Sequence, residues 1–378
     1  MKKLFFISSV VLGIALLLLA VYNFAFRNNV NSPFVNDSKT IEVKNTTPEV
    51  PKEEAHIKAL TEEKIMSPTY DLEGNQVVYF TVQGREIKKI SLDTESVARI
   101  MTLSGEPLRA VWSPLHTQAL VEMKIADSAK WYLVDTVAKT ETPLKDNMET
   151  PIWTNLGDHI VYKYYDVKTK ERSLNIANPN GSEWKKIGDS PFVNMNAMVM
   201  PQGSLLAFWN QGNAFEETSL RSVSLIGGDV KTLFSGKFGA EYVFSPDGQK
   251  LLMSSTDQKG GMLTTLGILL NQGAQYQNLQ IPTLVSKTVW AKNSDSVYYA
   301  LPGSLPDDAI LPNDYFSKPL LTQDTFWKVN METGEKSRIV ETKEISKSYD
   351  AASMMVNDDE SLLIFLNRAD GKLYSIKL

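Results

Sequence analysis

A short pattern that returns seven times constrains this 378-residue chain more than any other feature. Its clearest copy is VFSPDGQKLLMSS, Val243 to Ser255: an apolar residue, a turn on Pro246-Asp247-Gly248, then a run with strand character. Proline presets the first turn dihedral, aspartate bonds its own backbone, and glycine accepts positive φ. Aligned on Gly248, the shape returns as TYDLEGNQVVYF from Thr69, VWSPLHTQALVEM from Val111 and IWTNLGDHIVYKY from Ile152. It continues as MVMPQGSLLAFW from Met198, VWAKNSDSVYYA from Val289 and MMVNDDESLLIFL from Met354. One column of this alignment holds Tyr70, Trp112, Trp153, Val199, Phe244, Trp290 and Met355, at spacings of 42, 41, 46, 45, 46 and 65 residues.

A unit of about 40–50 residues that opens strand, turn, strand has the length of a four-stranded propeller blade. Third and fourth strands are visible too: REIKKISL then VARIM in the first unit, RSLNIA then SEWKKI in the third, RSVSLI then DVKTLF in the fourth. The seventh unit runs out of chain after its third strand, GKLYSIKL, leaving an apolar strand edge without a partner. Such an edge is a template for aggregation unless it is covered. His56–Leu60 stands where a fourth strand would stand relative to Tyr70, with no first three strands of its own. The expectation is therefore an all-β, seven-bladed β-propeller closed by this N-terminal strand in the last blade. The stretch Phe244 to Leu252, with its SPDGQKLL, resembles the Pro-Asp-Gly repeat of TolB-like β-propellers, relatives in shape of the WD-repeat proteins. That resemblance implies an interaction platform of the bacterial envelope.

The N-terminus sets a second expectation. Lys2 and Lys3 precede an uncharged run from Leu4 to Phe26, long enough as a helix to cross a bilayer core of about 30 Å. It lacks the small-residue cleavage site of a secretory signal. The chain is thus expected to divide into a cytoplasmic stub (1–3), a transmembrane signal anchor (4–26), a flexible linker (27–55) and the propeller (56–378). The leading lysines predict a single-pass cytoplasmic-membrane protein with its N-terminus inside and the propeller on the extracytoplasmic side.

Composition narrows the chemistry. The formal net charge is −5, and the first 27 residues hold Lys2, Lys3 and Arg27 without an acid, so no basic stripe for nucleic acid is expected. There is no cysteine, which removes disulfides, thiolate metal sites and thiol nucleophiles. His56, His116 and His159 read as strand or turn residues, and no H-E-x-x-H, G-x-S-x-G or Gly-rich phosphate loop is present. Asn357-Asp358-Asp359-Glu360 reads as a solvated turn, not a calcium loop. No metal and no cofactor are expected, and a binding module is favoured over an enzyme.

Two places suggest a site. Three residues before the apolar column, where the innermost strands begin at the channel mouth, polar groups recur, and Arg109, Asn196, Glu241 and Lys287 form the expected binding set. The sixth unit also carries an insertion, PGSLPDDAILPNDYFSKPLLTQD, on the same face, with Asp307, Asp308, Asp314, Tyr315 and Phe316 expected to be presented to a partner. Neighbouring loops add Trp209 and Phe215 from the fourth unit and Tyr164 and Tyr165 from the third. Exposed aromatics around a polar centre suit an envelope protein or a surface polymer. The alternative is a propeller hydrolase or lyase acting on a sugar at the channel mouth, with Glu241 as acid or base and Asp350 as its carboxylate companion.

Overall fold

The computed structural model describes residues 57–261, 264–303, 305–317 and 320–378. Residues 57–329 and 336–378 belong to one compact unit, the first of two into which the chain divides. Everything below concerns the first. Its strands form antiparallel meanders in which the innermost strand leads and each later strand pairs with the one before it. The first sheet comprises Ile65–Asp71, Gln76–Thr81, Glu86–Ser91 and Val97–Thr102. The second comprises Glu106–Trp112, Gln118–Ile125, Ser128–Asp135 and Thr140–Pro143. The third comprises Met148–Trp153, Ile160–Tyr165, Arg172–Ala177 and Lys185–Asp189.

The fourth and fifth units do not make separate sheets. They merge into one of seven strands through a single 14-residue strand, Lys231–Phe244, which ends the fourth unit and begins the fifth. On one side it pairs with Glu217–Ser224, and on the other with Lys250–Thr256. The sixth unit supplies Thr288–Trp290, Ser296–Gly303, Gln323–Asn330 and Lys336–Arg338. The last sheet is Ala351–Val356, Leu362–Asn367 and Lys372–Lys377, completed by Ile57–Ala59. Ile57 lies opposite Ile376 and Ala59 opposite Tyr374, and the Leu60 amide donates to the Leu373 carbonyl at 2.8 Å. The expected closing strand is thus found from Ile57 onward. His56 lies outside the described residues.

Because each sheet is covered on both faces, its strands are apolar on both sides. In Gln118–Ile125, Ala119, Val121 and Met123 pack against Val78, Phe80 and Ile87 of the first sheet. Leu120, between them, faces Trp153, Ile160 and Tyr162 of the third. The same alternation carries the core onward, and Tyr70, Val77 and Ile90 meet Ile364 and Leu373 where the last sheet joins the first. Each Val, Leu, Ile, Phe or Met among them contributes about 1.5–3 kcal/mol on full burial. The innermost strands lie side by side accordingly: Ile65–Asp71 beside Glu106–Trp112, that strand beside Met148–Trp153, and Ala351–Val356 beside Ile65–Asp71.

The repeated turn has a common geometry. Gly248 takes φ +70°, and a Cβ there would sit 2.4 Å from the Pro201 carbonyl oxygen, so glycine is required. Asp247 accepts from the Gln249 amide at 3.0 Å and from the Ser245 hydroxyl at 2.5 Å. Elsewhere the left-handed position is filled by His116 (φ +55°), Ser294 (φ +63°) and Glu360 (φ +54°), each strained for an L-residue. In four of the units this position follows the apolar column by four residues, at Trp112, Trp153, Phe244 and Trp290. Counting back from Glu360 gives Val356, not Met355. Val356 is also the residue whose successor, Asn357, donates its amide to Leu362 as Ser113 does to Gln118. The seventh repeat is therefore shifted by one residue from the expected alignment.

One expectation is corrected. Among the described residues no helix is long and apolar enough to cross a membrane, and the single-pass placement of the chain in the cytoplasmic membrane is withdrawn on that finding. The run from Leu4 to Phe26 and the linker of 27–55 lie outside the described residues.

Candidate binding site

Antiparallel meanders put the loops between second and third strands at the same end as the starts of the innermost strands. At that open face the structure brings Asn196 and Glu241 together. The Asn196 Nδ2 donates to Glu241 Oε2 at 2.9 Å and Oε1 at 3.1 Å. Trp209 Nε1 donates to Oε2 at 3.1 Å, and the Gly212 amide donates to Oε1 at 2.9 Å. Both carboxyl oxygens are therefore engaged. Burial nevertheless lifts the carboxyl above the usual glutamate range, with these donors opposing the rise.

Trp209 was expected to be an exposed contact. It is 3% exposed, because Glu241 satisfies its indole N–H and Tyr242 packs edge-on at 5.1 Å. Lys287 was expected at the channel mouth and is wholly buried instead. Its ammonium donates to Asp350 at 2.6 Å, Asp324 at 2.7 Å and Thr322 at 2.9 Å. Burial lifts the Asp324 carboxyl above its ordinary range, against the pull of that ammonium. Tyr315 is 2% exposed, its hydroxyl donating to Asp350 at 2.8 Å and its ring lying 3.9 Å from the Arg368 guanidinium. Asp314 is also buried, accepting from the Ile310 amide at 3.0 Å. Asp307, Asp308 and Phe215 are exposed as expected, and so is Phe316 at 51%. Tyr164 and Tyr165 are half-buried, Tyr164 against Trp184 and Tyr165 beneath Arg172.

The insertion of the sixth unit thus acts as a strap. Its short helix Asn313–Ser317 is anchored on one side by Tyr315 and by Arg368, which donates to the Tyr315 carbonyl at 3.1 Å. On the other side Asn313 accepts from the Ala214 amide at 2.8 Å and donates to Asn213 at 2.9 Å. Pro312 sits over Gly239, where a Cβ would approach its Cδ to 2.6 Å. The strap therefore reaches from the last sheet to the loop of the fourth unit, over the start of the fifth.

Two cavities remain open on this face. One, of about 590 Å³, lies between the strap (Phe316, Ser317) and the fourth unit, with Phe192, Asn194 and Gln211 in its wall. The other, of about 420 Å³, lies at the starts of the second to fourth innermost strands and is lined by Arg109, Trp131, Glu149, Lys163 and Asn196. Arg109 donates to Glu122 at 2.7 Å and lies 5.1 Å from the Trp131 ring. Lys163, 2% exposed, pairs with Glu149 at 2.9 Å and donates to the Val193 carbonyl. Of the expected mouth set, Arg109 and Asn196 share this cavity, Glu241 stands behind Asn196, and Lys287 belongs to the strap's anchor. Lys163 escaped sequence reasoning although it carried a signal: a cation inside IVYKYY, a strand otherwise built for burial, requires a partner. Asn194 and Gln211 carried none.

No group of three or more His, Asp or Glu side chains placed to hold a metal occurs among the described residues. Taken together, the sheets and their closure define a β-propeller. The solved structures bear this out. The chain is similar to an oligogalacturonate lyase from Vibrio parahaemolyticus, with TM-score 0.63 and 10% identity over 86% of this chain and 94% of that one. It is similar to the propeller domain of the Trilobed protease from Pyrococcus furiosus, described as having an open velcro topology, with TM-score 0.55 and 11% identity over 86% and 93%. The β-propeller domain of Cps50 (Swd1) from Myceliophteria thermophila is also similar, with TM-score 0.56 and 11% identity over 85% and 99%. No protein-family profile and no curated protein matches the sequence.

Proposed function

We propose that the chain is a seven-bladed propeller of the TolB-like kind whose open face is a binding platform for a protein or a polymer. The seven-stranded sheet counts as two blades in this reading, joined through Lys231–Phe244. The observation that carries it is a pair of open cavities on one face, one of them beside a strap whose helix is anchored on two sides, a concave site already formed without a ligand. Photo-crosslinkers at Val193 and Phe316 in the full chain should capture the same species. One at Val137, in a turn at the opposite end of the strands, should not. Equal capture from all three positions would remove the open face from consideration.

A lyase or hydrolase acting on a sugar is the second reading, drawn from the likeness to an oligogalacturonate lyase. Against it stand the two carboxyls it would need. Glu241 is held by four donated hydrogen bonds, and Asp350 by Lys287, Tyr315 and Arg368, with no partner in common. A general acid or base must reach its substrate's proton, and these groups are committed to the protein. Turnover of an oligosaccharide that Glu241→Gln abolishes would reverse the ranking.

A further inference from the structure

The two cavities share part of their lining: Val193, Asn194 and Gln211 border both. We propose, resting on the platform reading, that they are two halves of one site for a linear chain of neutral, hydroxyl-rich units, an oligosaccharide, and that Asn194 and Gln211 select it where it crosses the ridge.

Most amides around the site are already in use. Asn196 is bonded to Glu241, Asn210 to the Glu217 carbonyl and the Ser219 amide, and Asn213 to Asn313 and the Phe215 amide. Among the described residues, the side chains of Asn194 and Gln211 make no hydrogen bond to the protein. Each offers an acceptor and two donors, which matches a hydroxyl group acting in both senses. They stand at the one place that a ligand occupying both cavities must pass.

Charge selects against an anionic chain. The two cations of the mouth cavity are neutralised in place, Arg109 by Glu122 and Lys163 by Glu149. The cleft beside the strap has Glu216 and Glu217 in its wall and no lysine or arginine among its described lining residues. A polyuronate or sulfated chain would meet repulsion from these two carboxylates, and the nearest cation, Arg221, stands outside the lining, 5.2 Å from the Phe192 ring and donating to the Ser219 hydroxyl. Apolar contact comes from the exposed ring of Phe316 and the half-buried Phe192 in the cleft, which suit the C–H face of a sugar ring, whereas Trp131 in the mouth is buried beneath Arg109. An extended peptide would call for side-chain pockets or a strand edge to pair with. The ridge offers amides instead.

The test uses the full chain on an array of neutral, amino and acidic oligosaccharides of one to six units, followed by titration with the best binder. Neutral chains should bind, and longer ones should bind at least about tenfold more tightly than the single unit, because the second cavity adds contacts without a second association step. Asn194→Ala and Gln211→Ala should each weaken binding about fivefold, the scale of one hydrogen bond, with the thermal midpoint unchanged. Val137→Ala, in an exposed turn at the opposite end of the strands, should have no effect. Preference for acidic chains, equal affinity for one unit and six, or unaltered binding by both amide variants would overturn the proposal. Were the crosslinkers at Val193 and Phe316 to capture a protein while no oligosaccharide bound, the ligand class would fall and the platform would stand. If neither assay found a ligand at this face, both would fall.

Discussion

Glu241 shows how one side chain couples a site to its scaffold. It ties the Gly212 loop, Trp209 and Asn196 to the shared strand, and its burial raises its proton affinity above that of a glutamate in the unfolded chain. Between the ordinary glutamate value and the raised one, the native state therefore binds more protons than the unfolded state. Its contribution to stability falls as pH rises through that window. Glu241→Gln abolishes this titration and replaces an acceptor with a donor. The variant should be less stable than the parent in urea near about pH 4, and the deficit should shrink near about pH 8. A deficit that grows with pH would mean that the ionised form is the favoured one. Lys287 gives a starker case. Lys287→Met leaves Asp324 buried without its cation and Asp350 with Arg368 alone, and should cost about 3–5 kcal/mol in equilibrium unfolding. A loss no larger than that from Lys58→Met, which removes an exposed pair with Glu95, would contradict that reading.

At the scale of the element, the turn and the strap behave differently. The turn is local: Gly248→Ala places a Cβ against the Pro201 carbonyl at positive φ and should cost more than about 1 kcal/mol by thermal or urea unfolding. An unchanged midpoint would show that the turn can relax. This locality is why the strands were legible in the sequence, since proline, aspartate and glycine at fixed offsets need no distant partner. Where the turn chemistry degenerates, as in Asn357-Asp358-Asp359-Glu360, the alignment slipped by one residue from Val356 to Met355. Nothing in that stretch marks which residue takes the left-handed conformation.

The strap is not local. Its aromatics were read as exposed because they sit in a long polar loop. Tyr315, however, finds Asp350, 35 residues away, and Trp209 finds Glu241, 32 residues away. Composition within a short segment cannot reveal a partner supplied by a distant strand. The same holds for the candidate site. Arg109 and Asn196 were recoverable from the repeat, which places one residue per strand at the mouth, whereas Asn194 and Gln211 depend on where two loops meet.

At the scale of the whole molecule, the first and last described strands complete one sheet. Removing Ile57–Ala59 leaves Lys372–Lys377 with an unpaired edge and uncovers Tyr374 and Ile376. A chain beginning at Thr61 should unfold at lower temperature and aggregate at concentrations the parent tolerates, as read by a melting curve with light scattering. Equal solubility and an equal midpoint would mean that the closing strand is dispensable.

The shared strand Lys231–Phe244 has its own consequence. Elsewhere a sheet can fray along its outer strand while its neighbour stays intact, because only a flexible turn connects them. Here the outer strand of one sheet continues as the inner strand of the next, so pulling it away strips amide partners from both. Deuterium uptake at Glu217–Ser224 and at Lys250–Thr256 should therefore rise in step when the protein is mildly destabilised, marking a double-width patch of late exchange in an otherwise segmented molecule.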